Sequence, residues 1–288
     1  MAETLLEIKH RLNTIKSIEK LTKAMKLVAS VKFQKWKHYF DDDHDYEKAM
    51  HDVMVRVLKE VTPAQMKTMP SLNHYSDSKD IYIIVSSSLG LCGSYNYNLF
   101  KLADKLIKKE DELILIGQKA YLHYKNFPNK RYDDFINLME QYNFDNVKKL
   151  RHFFFKLYRT KNYHSVTLIY TVYKNNFTFI PMTRQLLPFD LRGLHLDEDK
   201  PAYPPLFDPN VKEVMHLILP HYIDSSLYNK LIMSVVSEQA SRRNAMENAT
   251  DSAEKITDEL KLAYNRLRQA NITQEITEIV SGAKSQTD

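Results

Sequence analysis

Toward the C-terminus the apolar residues fall at Met246, Ala249, Ala253, Ile256, Leu260, Ala263, Leu267 and Ala270, an alternation of three and four. That alternation is the seam of a helix packed on a partner helix. Half of the seam is alanine, which lets two helix axes approach closely, and the positions between are polar, among them Asp251, Glu254, Asp258, Glu259 and Arg266. Stepping backwards, Arg242 and Gln239 interrupt the stripe before Val235 and Ile232 restore it. At the other end Thr4 and Glu7 form a capping box that predicts a helix start. Leu5, Ile8, Leu12 and Ile15 make one stripe, and Ile18, Leu21, Met25 and Val28 a second. Only three residues take Ile15 to Ile18, where a heptad needs four, so the spacing predicts a stammer, a local overwinding. Tyr46, Met50, Val53 and Val57 resume the pattern.

Neither Pro nor Gly occurs over 1–62 or over 221–281. Helices usually run about 11 or 12 residues, so these stretches predict two very long ones, 1–60 and 221–288, each reaching roughly 80 to 90 Å at about 1.5 Å per residue. Their seams are most simply satisfied by each other, as a long antiparallel coiled coil. Between them the period changes. Residues 80–86, 112–117, 166–173 and 177–180 read as strands, with a turn at 174–176, and 99–107 and 118–124 as short helices. This order predicts a central Rossmann-like α/β domain over 76–190 with a partly parallel sheet, a mixed α/β and α+β architecture overall. A proline-bearing linker over 191–220 leads back to the second long helix.

Composition removes several functions. Only 5 glycines occur, against roughly 20 expected at about 7%, and no G-x-x-x-x-G-K-[ST] or G-x-G-x-x-G can be written with them. No uncharged apolar run approaches the roughly eighteen residues of a membrane span. The N-terminus shows no leader pattern, and the one cysteine, Cys92, points to a reducing compartment. The loop 86–94 follows a strand and carries serines and Cys92, but it has neither a base nor a nucleophile-elbow glycine pattern. A tight turn with a buried thiol is the expectation there. His152, His164 and His216 have no ligand spacing, so no metal, cofactor or catalytic residue is expected. Residues 1–40 hold nine Lys and Arg against three Glu, or +6, while the whole chain is +5. A solvated face, a helix for nucleic acid or membrane, and a rod held inside an acidic partner all fit that charge.

Three segments then carry a resemblance: 20–29 (KLTKAMKLVA), Gly90-Leu91-Cys92-Gly93, and 268–283, with I-T-x-E-x-x-E-x-x-x-G-A from Ile272. Together with 244–251 (NAMENATD) they resemble the gamma subunit of F-type ATP synthases. The resemblance implies a non-catalytic rotor shaft that couples nucleotide turnover in a hexamer of alpha and beta subunits to rotation and proton transport. It further implies an epsilon-like subunit and a membrane ring as partners, and no nucleic acid. It places the chain peripherally on the cytoplasmic face of a bacterial plasma membrane, or in the mitochondrial matrix. By resemblance Met25, Lys23, Arg268, Gln269, Ile272, Thr273 and Glu275 are rotor–stator contacts, and Gly90, Leu91, Cys92 and Gly93 form a central loop. The family usually has Asp-Arg before that loop, and here Ser88-Leu89 stand instead. A divergent rotary ATPase without a proton channel is one alternative, and a coiled-coil adaptor for nucleic acid or membrane another.

Overall fold

The computed structural model describes residues 4–62, 65, 79–140, 143–161, 163–189 and 206–285. Its elements are α1 (Leu5–Lys59), β1 (Ile81–Val85), α2 (Tyr95–Leu106), β2 (Glu112–Ile116), α3 (Gln118–Tyr124), β3 (Lys130–Tyr132), α4 (Phe144–Lys161), β4 (Val166–Asn175), β5 (Thr178–Leu187) and α5 (Val211–Ser285). Contacts divide the chain into two compact units, one of Met1–Ala29 with Arg243–Asp288 and one of Ser30–Arg242.

In the first unit the capping box closes as expected: the Thr4 N–H donates to Glu7 Oε2 at 2.7 Å and the Glu7 N–H to Thr4 Oγ1 at 3.3 Å. The two helices pair antiparallel, Lys26 bridging Glu247 and Lys23 bridging Glu254 at 2.7 Å each. The Thr250 and Thr22 hydroxyl oxygens meet at 2.8 Å inside the seam. The seam itself differs from the expected one. On α1 the packed positions are Leu5, Ile8, Leu12, Ile15, Glu19, Thr22, Lys26 and Ala29, an unbroken heptad. No stammer is needed, and Ile18, Leu21 and Val28 face outward, Leu21 at 60% exposure. On α5 Met246, Ala253, Leu260 and Leu267 pack as expected, but Thr250, Thr257 and Tyr264 replace Ala249, Ile256 and Ala263. Ile256 is exposed at 38% while Thr250 and Thr257 are 6% and 4%; Ala270 is also exposed. A threonine can bury its methyl and turn its hydroxyl to the carbonyl one turn back, as Thr250 does to Met246, so hydrophobicity alone picks the wrong face.

The second unit is built on a five-stranded sheet in the order β3-β2-β1-β4-β5. β1 runs parallel to β2 and β4, β2 is parallel to β3, and β5 closes the edge antiparallel to β4. Both faces are covered, which is why β1 and β2 are apolar nearly throughout. On one face Ile81, Ile83, Val85, Ile114 and Leu168 meet α4, the end of α1 and the start of α5 through Phe154, Met54 and Leu227. On the other, Tyr82, Ile84, Leu113, Leu115 and Ile169 meet α2 and α3 through Leu99, Ala103 and Tyr124. α1 and α5 are antiparallel neighbours here too, Lys230 pairing with Glu47 at 2.7 Å and His51 Nδ1 standing 3.4 Å from the Tyr222 hydroxyl. Along α1 it is Met54, Val57 and Leu58 that are buried, whereas Tyr46 and Val53 of the expected stripe are exposed.

Element boundaries shift in three places. α5 starts at Val211, inside the expected 191–220 linker, and passes through Pro220. Asn210 starts it, its Oδ1 accepting the Glu213 N–H at 3.0 Å. Burial of Met215, Leu219, Tyr222 and Ile223 against the sheet outweighs the one helical hydrogen bond that Pro220 cannot donate. The rest of the expected linker, through 205, lies outside the described residues, as do 76–78, 190 and both chain ends. The expected turn at 174–176 falls at Asn176 and Phe177, and β5 extends to Leu187. β3 and α4 had no counterpart in the sequence pattern; Asn143 caps α4 by accepting the Asn146 N–H at 2.8 Å.

Candidate functional site

Open α/β sheets hold ligands beyond the carboxyl ends of their strands, where the strand order changes direction. Here that point lies between β1 and β4, and the chain's own side chains occupy it. The Tyr95 hydroxyl meets Ser234 Oγ at 2.7 Å, Ser237 Oγ donates to the Thr171 carbonyl at 3.0 Å, and Ser241 Oγ donates to the Cys92 carbonyl at 2.7 Å. Serines three and four residues apart on α5 thus stitch that helix to β4 and to the loop after β1. Ser86 Oγ accepts the Ala120 N–H at 2.8 Å, closing the start of α3. Gly117, with φ +88, lies so near that a Cβ would come 2.2 Å from the Ser86 carbonyl oxygen. A nucleotide phosphate has no free helix N-terminus to approach at this turn.

The loop before α2 is likewise sealed. Asn96 Nδ2 donates to Ser87 Oγ at 2.7 Å and to Cys92 Sγ at 3.2 Å, and Ser87 Oγ donates to the Leu89 carbonyl at 2.7 Å. Leu91 and Gly93 both adopt left-handed backbone, φ 59 and 57. Burial raises the Cys92 thiol's pKa, opposed by the Ser87 hydroxyl and Arg242, so it is held as a thiol and is a poor nucleophile. Arg242 reaches across from α5, donating to the Leu89 carbonyl at 3.1 Å and the Gly90 carbonyl at 3.3 Å. Its guanidinium also pairs with Glu238 at 2.7 Å. Burial pushes the Glu238 carboxyl upward, and Arg242 and Lys32 oppose that rise. Leu89 and Leu91 remain exposed, so the loop presents two apolar side chains on a backbone clamped from behind. Arg242 and the serines of α5 were not singled out as functional from sequence. Their signal was present: Gln239 and Arg242 break an apolar stripe, which is costly unless each has a partner.

The expected contact residues lie on the paired helices. Lys23 is half exposed and shared between Glu19 and Glu254 at 2.7 Å, pairs that raise its pKa. Met25 is half-buried beside it. Arg268, Gln269, Ile272, Thr273 and Glu275 belong to a stretch, 268–281, in which every residue is exposed. Apart from i,i+4 bonds such as Thr273 Oγ1 to the Gln269 carbonyl, its apolar Ile272, Ile276, Ile279 and Val280 stand outward. Among the described residues no cluster of three metal-ligating side chains occurs, and no helix is long and apolar enough to cross a membrane.

Two long antiparallel terminal helices with a mostly parallel sheet between them define a class, the central-stalk fold of rotary ATP synthases. A Tetrahymena thermophila mitochondrial ATP synthase central stalk/c-ring structure contains a chain that aligns at TM-score 0.57 and 25% identity, over 80% of this chain and 99% of that one. A chain of the Euglena gracilis mitochondrial ATP synthase aligns at TM-score 0.65 and 15% identity over 98% and 94%, which shows the shared fold. The family model described as ATP synthase matches residues 4–285. The ATP synthase gamma chain of Mycoplasma mobile is 34% identical over 99% of this chain and 100% of its own length. That of Malacoplasma penetrans is 36% identical over 98% and 99%. The chain belongs to the ATP synthase gamma chain family.

Proposed function

We propose that the chain is the non-catalytic rotor shaft of an F-type enzyme, turning within a hexamer of alpha and beta subunits that holds the nucleotide sites. The observation that carries this is the outward apolar surface of the paired helices: Ile18, Leu21 and Val28 on α1, and Ile272, Ile276 and Ile279 on α5, none engaged by the chain's own seam. Such a surface calls for an enclosing partner. The sealed carboxyl edge of the sheet, with its protonated Cys92, supports a chain that does no chemistry itself. In this reading Met25, Lys23, Arg268, Gln269, Ile272, Thr273 and Glu275 touch the hexamer. The basic residues of α1 that project, such as Lys16 and Lys20, face acidic levers of the beta subunits. The loop Gly90-Leu91-Cys92-Gly93 presents Leu89 and Leu91 to a neighbouring subunit. An epsilon-like subunit and a membrane ring complete the rotor, on the cytoplasmic face of a bacterial membrane.

The test is reconstitution with the alpha and beta subunits. The chain alone should hydrolyse no ATP, and one copy should join each hexamer. Met25→Lys keeps its aliphatic stem half-buried beside the seam while its ammonium reaches outward, so the variant should assemble but couple less well. Normal turnover and torque in the Met25→Lys complex would remove this position from the contact surface. Hydrolysis by the pure chain would overturn the non-catalytic reading.

A further inference from the structure

Within the Ser30–Arg242 unit, a cleft of about 370 Å³ opens between α1, the β4–β5 edge and α5. Its volume suits a small ligand, and cations from three different elements line it: Lys48 of α1, Arg184 of β5 and Lys230 of α5. Glu47 is the carboxylate in the lining, and it is held by Lys230 at 2.7 Å. Three cations against one carboxylate leave the lining at +2 before His44 and His51 are considered.

Two of those cations lack a counter-ion. Arg184 is partly buried and makes no ion pair among the described residues; it stands near the buried Tyr222 hydroxyl instead, opposing the rise in pKa that burial gives that phenol. Lys48 likewise has no acidic partner among the described residues. Tyr170 supplies a third clue. It is 5% exposed, lines the cleft, and its hydroxyl has no hydrogen-bond partner among the described residues. A partly desolvated guanidinium, a free ammonium and an idle phenol donor around one cavity are the donor set of an oxyanion receptor.

We propose that this cleft binds a phosphate-class oxyanion, either free inorganic phosphate or the phosphate tail of a nucleotide. Arg184 and Lys48 supply charge, the Tyr170 hydroxyl donates to an oxygen, and Lys230 is shared between the ligand and Glu47. An anion seated there links α1, β5 and α5 across their junction. This inference does not depend on how the chain assembles.

Calorimetric titration of the purified full chain with inorganic phosphate, ADP and ATP tests it, in phosphate- and sulfate-free buffer with ionic strength fixed by sodium chloride. One saturable site per chain is expected. Arg184→Gln should weaken it about tenfold or more and Tyr170→Phe a few-fold, the scale of a charge-assisted and a neutral hydrogen bond respectively. Glu47→Gln should tighten it a few-fold, because it removes the one carboxylate among the described lining residues and frees Lys230. Saturation by phosphate identifies the free anion as sufficient, and saturation by nucleotides alone identifies the tail as the source. Should Arg184→Gln fail to fold, the opposite shifts of Tyr170→Phe and Glu47→Gln still decide. Absence of saturable binding of all three ligands up to about 10 mM, beyond the millimolar range of weak sites, overturns the proposal. Equal affinities across wild type, Tyr170→Phe and Glu47→Gln overturn it as well.

Discussion

Glu112, the first residue of β2, is the most heavily engaged carboxylate among the described residues of the sheet unit. Tyr163 and Tyr132 donate to its Oε2 at 2.6 and 2.7 Å, and Lys79 to its Oε1 at 3.0 Å. Burial alone would raise its pKa, but these three donors overcome burial and bring it down to about 2. A lowered folded-state pKa means that the ionised carboxylate stabilises the fold above its ordinary value of 4.5, and that this contribution is lost as pH falls from there toward 2. Glu112→Gln should therefore destabilise by about 2 to 3 kcal/mol at neutral pH, by leaving a buried donor unmet. It should also flatten the acid limb of stability between those two values, as urea melts across pH would read. Gly117 is a second single point of failure. Its positive φ and the 2.2 Å approach to the Ser86 carbonyl leave no room for a methyl group, so Gly117→Ala should lose at least about 3 kcal/mol or fail to fold.

At the scale of elements, the buried threonines of the α5 seam make a paired prediction. Thr250 is satisfied by Thr22 and Met246, whereas Thr257 Oγ1 is buried with no partner among the described residues. Thr257→Val should stabilise the chain by about 1 kcal/mol and Thr250→Val should destabilise it by a similar amount; equal and opposite shifts in denaturation midpoint check both. Those residues also explain how much of the fold was readable. Breaker-free stretches and strand-like runs located α1, α5, β1, β2, β4 and α3, because backbone conformation follows local chemistry. Which face of a long helix turns inward does not follow locally when apolar residues surround it, as at Ile18, Leu21 and Met25. There the partner decides, and a chain that packs against itself on one side and is apolar on the other carries two competing stripes. α4 escaped because its buried Val147, Leu150, Phe154 and Tyr158 are interspersed with Phe153 and Phe155, which blur the period. Of the candidate site, the Gly90–Gly93 loop was legible as a motif, but the Arg242 clamp depends on a pairing 152 residues apart in sequence.

For the molecule as a whole, the exposed stretch 268–281 separates folding from assembly. Truncation after Glu275 removes Ile276, Ile279 and Val280, none of which is buried. The isolated chain should keep its melting temperature, since exposed terminal residues contribute little. In the complex each apolar side chain, if fully enclosed, is worth about 1.5 to 3 kcal/mol, so the truncated assembly should dissociate more readily and transmit less torque while still hydrolysing ATP. Wild-type assembly and torque would show this end to be dispensable. Within the Ser30–Arg242 unit, α5 must also resist turning about its own axis, and here its polar stitches matter. Purely oily surfaces let one cylinder slip around its own axis with small loss, because each apolar contact is replaced by another. Ser234, Ser237, Ser241 and Arg242 instead meet partners fixed in direction, on Tyr95, Thr171, Cys92 and the Leu89–Gly90 carbonyls. Turning the helix by even part of one residue would break all of these at once, so they act as the teeth of a splined joint, converting torsional load into hydrogen-bond strain rather than slip.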